Sequence, residues 1–207
     1  MSKIRFTEPN REILARRDSI INDLTRLVDP AGLITSTDEC RAYETDALTA
    51  YRKMPLAVVL PKTTEEVSAV LKYCHDTGVK VVPRGAGTSL AGGAIPSEDA
   101  VVLGLSKMNR VLAVNYDDRF IRVEAGVTNL SVTAVVAENG FFYAPDPSSQ
   151  LACTIGGNIA NNSGGAHCLK YGVTTNNLLG VRMVLIDGSI IDLGGDYLDS
   201  AGLDLLG

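Results

Sequence analysis

The sequence predicts an α+β protein of two intimately packed α+β subdomains. Three observations predict it. A strand–helix–strand unit occupies residues 56–82, a run dense in glycine follows its second strand at once, and two later apolar segments are joined by Asp187-Gly188. An Asp-Gly pair between apolar runs is a strong hairpin signal, because both turn positions favour positive φ.

Taken in order, residues 11–28 read as one helix: Ile13, Leu14, Ile20, Ile21, Leu24, Leu27 and Val28 recur at helical spacings, and Asp29-Pro30 with Gly32 end it. This N-terminal helical segment, residues 1–50, is expected to pack on the domain, and its polar part, 35–51, to be loop with a short helix. Residues 56–60 form a continuous apolar run, as a buried strand does, and Pro61 stops it. Thr63-Thr64-Glu65-Glu66 is a capping box, with Thr63 accepting from the Glu66 amide and the Glu66 carboxylate reaching back. Val67, Val70, Leu71 and Cys74 then share one helix face, and Gly78 stands at the left-handed closing position. Residues 79–82 are the next strand. Strands at 101–105, 111–115 and 120–124 follow, with Asp117-Asp118 at a turn. A helix over 128–139 is capped by Thr128 and closed by Gly140, and strands at 178–186 and 190–193 flank Asp187-Gly188. The break between subdomains is expected near residues 93–100, which divides the domain 51–207 into about 51–95 and 96–207.

Composition narrows the function. The chain has 207 residues, 45% hydrophobic and 21% charged, an ordinary globular balance. Its formal charge is −5 with no basic stripe, which argues against a nucleic-acid partner. No apolar run is long enough for a transmembrane segment, and the first 17 residues are polar and lack a signal-peptide core, so the default expectation is a cytoplasmic protein. Cys40, Cys74, Cys153 and Cys168 fit no metal spacing, Cys74 reading as core, and His75 and His167 make no metal site.

Fourteen of the 20 glycines fall between Gly85 and Gly188, a clustering that points to site loops. Residues 83–94 hold four glycines, one arginine and two hydroxyls. Such a run can cradle a diphosphate on consecutive backbone N–H groups, or it can be a tight connection between strands. It is not a P-loop, since no Gly-Lys-Ser/Thr follows, and Leu90 breaks the G-x-G-x-x-G dinucleotide pattern. A second stretch, residues 153–165, is again rich in small residues, hydroxyls and amides. Two such stretches suggest one large ligand held from two sides.

Arg84-Gly85-Ala86-Gly87-Thr88, then residues 154–160, Tyr171-Gly172 and Asp187-Gly188, in that order, resemble the PCMH-type FAD-binding domain of the vanillyl-alcohol oxidase/p-cresol methylhydroxylase superfamily. Within it the chain is most similar to the branch of glycolate oxidase flavoprotein subunits and D-lactate dehydrogenases. The resemblance covers residues 43–192 and implies a PCMH-type fold and bound FAD. It implies that Pro83, Arg84, Gly85, Ala86, Gly87, Thr88 and Ser89, with Gly92 and Gly93 behind them, wrap the diphosphate, and that Ser106 and Met108 line the flavin. Pro145, Asp146, Thr154, Gly156, Gly157, Ala160, Asn161, Gly164, Gly165, Tyr171 and Gly172 would run beside the ring and its ribityl chain, and Ile191 would meet the adenine.

Relatives that tether FAD use a histidine in the first loop, some adding a cysteine in the second. Thr88 and Ala152 stand there, so FAD is expected to be held non-covalently. The implied reaction oxidises a small 2-hydroxy acid, with hydride passing from its α-carbon to flavin N5. Partner subunits would carry electrons onward and provide any membrane association. The catalytic base is not identifiable, and in this family it comes largely from a C-terminal substrate domain. The chain is therefore expected to be truncated at its C-terminus, inactive alone and weak in FAD binding. The alternative is a non-catalytic flavin-binding or assembly subunit of an oxidase complex.

Overall fold

Two strands without a polar side chain set the architecture of the computed structural model, which describes residues 7–196 and 203–206. Strand β2 (Ala57–Val59) and strand β4 (Ala100–Gly104) are buried throughout and pair in parallel, Val58 opposite Val102. Strand β3 (Lys80–Arg84) runs parallel along the other side of β4, and the short β1 (Leu33–Ile34) pairs antiparallel with β2, giving the order β1-β2-β4-β3. Pro83 is tolerated because β3 is an edge strand, where a missing N–H breaks no ladder.

The sheet is covered on both faces. Ala57, Val59, Val101 and Leu103 join a cluster with Ile13, Ile20, Leu24, Val28 and with Val67, Val70 and Cys74 of helix α4 (Thr64–Thr77). Val58, Leu60 and Val102 join Cys40, with Ile34, Tyr43, Met54 and Val82 packed against them. Each fully buried valine contributes about 1.5–3 kcal/mol of transfer free energy. Burial also pushes the Cys74 thiol up to about 12, so it stays protonated as the core residue expected of it.

Several expectations need correction. The single helix over 11–28 is two, α1 (Arg11–Ala15) and α2 (Arg17–Leu24), broken at Arg16, where ψ is 8°. Residues 35–51 carry α3 (Thr37–Cys40), as the loop-with-helix reading requires. Thr63 caps α4 through the Glu66 amide at 3.2 Å, but the Glu66 carboxylate accepts from the Lys62 amide at 2.7 Å rather than from Thr63. Gly78 closes α4 at φ 73°. The supposed break at 93–100 lies inside the sheet: β4 inserts between β2 and β3, so the first sheet ends after Gly104, not near 95, and β1 draws the N-terminal segment into it as well.

Beyond β4 come two antiparallel hairpins. Strand β5 (Val111–Asn115) pairs with β6 (Phe120–Val123), and Glu124, its side chain 7% exposed, clamps the hairpin base by accepting from the Arg110 amide at 2.8 Å and from its guanidinium at 2.7 Å. Helix α5 (Asn129–Val136) follows and runs into a 3-10 turn, Ala137–Asn139, which Gly140 closes at φ 78°, but Thr128 makes no backbone cap and instead hydrogen-bonds Ser131. Two more helices, α6 (Ile155–Asn161) and α7 (Cys168–Tyr171), lead to the hairpin of β7 (Gly180–Val184) and β8 (Ile190–Gly194). Its connection contains Asp187-Gly188 as expected, with Gly188 at φ 84°. The Ser68 hydroxyl donates to the Gly188 carbonyl, and Val184 packs on the first core cluster, which fixes this hairpin to α4.

Candidate functional site

Strands β3 and β4 end level, Arg84 opposite Gly104, so the loop after β3 and the turn after β4 leave the sheet from the same edge. The Leu105 amide donates to the Arg84 carbonyl at 3.0 Å and holds the two exits together. From there a series of backbone contacts reaches the second glycine stretch. The Gly126 amide donates to the Met108 carbonyl at 2.8 Å, the Gly156 amide to the Ala125 carbonyl at 2.9 Å, and the Ile155 amide to the Val127 carbonyl at 2.9 Å.

The circuit closes where the two stretches meet. Thr154 is 5% exposed and caps α6, its hydroxyl accepting from the Gly157 amide at 3.3 Å. That oxygen lies against Gly85: a Cβ on Gly85 would stand 2.5 Å from it, closer than real side-chain carbons come. The glycine at 85 is thus required by close approach, the second stretch occupying the space a side chain would fill. At Gly87 the requirement is conformational as well, with φ at 70°.

The second stretch was expected to be loop, and most of it is helix α6. Gly156 and Gly157 fall in its first turn, where amides lack an i−4 partner in any case and glycine interrupts no established turn. Thr154 as N-cap and Asn162 in the left-handed region at φ 45° are the signals that mark its ends. Ala160 and Asn161 lie in its final turn; Gly164 and Gly165 follow, and Gly165 packs on the Asp146 carbonyl.

Three predicted residues are engaged in ways the sequence did not suggest. The Asp146 carboxylate accepts from the His167 amide at 3.3 Å and pairs with the His167 ring at 2.6 Å. That hydrogen bond holds its pKa below the ordinary carboxylate range. The Met108 side chain is part of the hydrophobic core and its carbonyl accepts from the Gly126 amide, while Ser106 is exposed. The Arg84 guanidinium donates to the Thr45 carbonyl at 2.7 Å and to the Ala94 carbonyl at 3.5 Å, stacking near the Tyr43 ring.

Other residues are placed by their own elements. Pro145 is buried and its carbonyl accepts from the buried side-chain Nδ2 of Asn129 at 3.0 Å. Tyr171 ends α7 and meets the Phe142 ring edge-on, and Gly172 turns the chain at φ 76°. Ile191 lies in β8 opposite Met183, on the hairpin fixed to α4 rather than at the junction of the glycine stretches. Sequence reasoning missed residues 43–47, which support the first loop, and His167.

The family described as FAD binding domain matches residues 55–194, more than half of the chain. The chain belongs to this FAD-binding family. It is 48% identical over 190 residues to glycolate oxidase subunit GlcD of Escherichia coli (strain K12), covering 92% of this chain and 38% of that protein. It is 39% identical over 190 residues to D-lactate dehydrogenase of Archaeoglobus fulgidus, covering 91% of this chain and 42% of the other. Among solved structures, an alkyldihydroxyacetonephosphate synthase shares the fold, with a TM-score of 0.78 at 20% identity over 98% of this chain and 38% of that one. The chain thus spans about two fifths of the length of these relatives.

The cofactor of this FAD-binding domain is FAD, and the residues present fit it. Among the described residues, no acceptor pairs with the amides of Ala86, Gly87 and Thr88, an arrangement suited to a diphosphate. A Cβ on Gly93 would meet nothing within 4 Å, so packing does not demand glycine there. Among the described residues, no helix is long and apolar enough to cross a membrane.

Proposed function

We propose that this chain is the FAD-holding part of a flavin-dependent 2-hydroxyacid dehydrogenase of the glycolate or D-lactate type. The observation that carries the reading is the meeting of the two glycine stretches at Gly85 and Thr154, within a domain that resembles GlcD and D-lactate dehydrogenase along nine tenths of its length. Bound FAD supplies the hydride acceptor for oxidation at the substrate α-carbon.

The chain's own contribution is binding and orientation. The amides of residues 85–89 receive the diphosphate, with Thr88 and Ser89 lending hydroxyls, and α6 with residues 164–172 flanks the ring and ribityl chain. The Ile191 backbone meets the adenine. Thr88 and Ala152 offer no nucleophile for a covalent tether, so attachment is non-covalent. The base that takes the hydroxyl proton and the groups that bind the substrate carboxylate come from outside residues 1–207, in the additional length that such relatives possess. A cytoplasmic location, and partner subunits that pass electrons on, follow the same reading; the word subunit in the name of GlcD supports the latter.

The absorbance spectrum of the purified intact protein tests this reading. Oxidised-flavin bands, bleached by glycolate or D-lactate, are expected. A colourless protein that takes up no added FAD refutes it.

A further inference from the structure

Arg84 is the one cation in the first glycine stretch, and a cation beside a diphosphate invites a simple reading as its ligand. The geometry is different. Nη1 donates to the Thr45 carbonyl at 2.7 Å and the Ala94 carbonyl at 3.5 Å, so one guanidinium ties the far end of the loop to the segment 43–48. Cζ stands 5.6 Å from the centroid of the Tyr43 ring. Gly87 lies directly against the same group: a Cβ there would overlap Nη2 and approach Cζ to 2.6 Å. The Gly87 carbonyl is in turn held by the Ala47 amide at 2.9 Å. Arg84 therefore sits beneath the loop, between it and residues 43–48.

The segment that Arg84 grips also carries a buried carboxyl group. Asp46 is 4% exposed; Oδ1 accepts from the Leu48 amide at 2.9 Å, and Oδ2 has no partner among the described residues. Burial lowers the Arg84 pKa, and the nearby Tyr43 and Asp46 groups offset part of that effect. Each of these groups fixes backbone: Asp46 shapes 46–48, Arg84 grips Thr45 and Ala94, and the Ala47 amide grips Gly87.

We propose that Arg84 is a positioning residue that fixes the curve of the glycine loop from inside, leaving the backbone amides to meet the cofactor. This rests on the flavin reading given above. Preorganisation is the source of the effect: a loop already shaped loses less conformational freedom when the ligand arrives. Segment 43–48 thereby becomes part of the cofactor site without touching the cofactor.

Substitution by lysine separates this role from a direct contact. Lysine keeps the charge, which a diphosphate ligand needs, but it lacks the planar guanidinium that places Nη1 at both carbonyls while its plane lies over Tyr43 and its Nη2 faces Gly87. In the intact protein, Arg84→Lys and Arg84→Met are both expected to bind FAD at least about tenfold more weakly, since hydrogen bonds from a charged group are removed. The visible-region circular dichroism of bound flavin should change in Arg84→Lys, and amide exchange at Ala47 should quicken in the flavin-free protein. Wild-type affinity in Arg84→Lys, or amide exchange at Ala47 unchanged in that variant, overturns the proposal. If Arg84→Met does not fold, the lysine variant still decides. Wild-type protein that takes up no FAD overturns the flavin reading, and this inference with it.

Discussion

Thr154 Oγ1 serves two neighbours at once, accepting from the Gly157 amide and limiting the space at Gly85. Gly85→Ala is therefore expected to cost about 1–3 kcal/mol by overpacking, and Thr154→Ala about 1 kcal/mol through the lost cap. Combined, the two should cost less than their sum, since removing the hydroxyl frees the space the new methyl needs; equilibrium unfolding of all four proteins measures this coupling. Asn129, 1% exposed, donates to the Pro145 carbonyl, and Asn129→Ala should destabilise by about 1–3 kcal/mol by leaving that buried acceptor unpaired, as denaturant melts would show. Residues that act through local rules were legible in the sequence: the Thr63 cap, Gly78 and Cys74 sit as read. Residues whose role depends on a distant partner were not. Nothing near Arg84 in the chain announces Thr45, and nothing near Asp146 announces His167.

At the scale of elements, Asp99 joins the N-terminal segment to the sheet. It is 1% exposed and accepts from the Asn10 amide at 2.8 Å, the Ser97 hydroxyl at 2.6 Å and Lys80 Nζ at 2.8 Å. Burial pushes its pKa up, but Lys80, Ser97 and Asn10 outweigh burial and bring it from the ordinary 3.8 down to about 2. A carboxyl depressed in the folded state adds stability that is fully present above its unfolded pKa and is lost as pH falls through the folded one. Asp99 should therefore contribute to a loss of stability between about pH 4 and pH 2, and Asp99→Asn should be less stable at neutral pH but flatter across that window, as thermal melts against pH would show. The strands and α4 were readable because apolar runs, caps and glycine stops are local. Helix α6 was not, since Gly156-Gly157 disguises its first turn; the break at Arg16 was hidden by apolar spacing that continues across it.

At the scale of the whole molecule, the absence of a nucleophile at Thr88 and Ala152 predicts that acid precipitation of the intact protein leaves a colourless pellet and a yellow supernatant. Because the chain spans 38% of the GlcD relative, the 207-residue polypeptide alone should hold FAD more weakly than one of the relatives' length and give no turnover of glycolate or D-lactate with an artificial acceptor. The family was legible from four motifs in order. The strand order was not, because hydrophobic pattern fixes which segments are strands and leaves open which strand lies between which. β3 is complete at residue 84, yet among the described residues it pairs only with β4, which ends at residue 104. A chain emerging from the ribosome therefore presents the first glycine stretch on a strand whose partner has not yet been made. A nascent chain halted before residue 104 is expected to take up no flavin, whatever the supply.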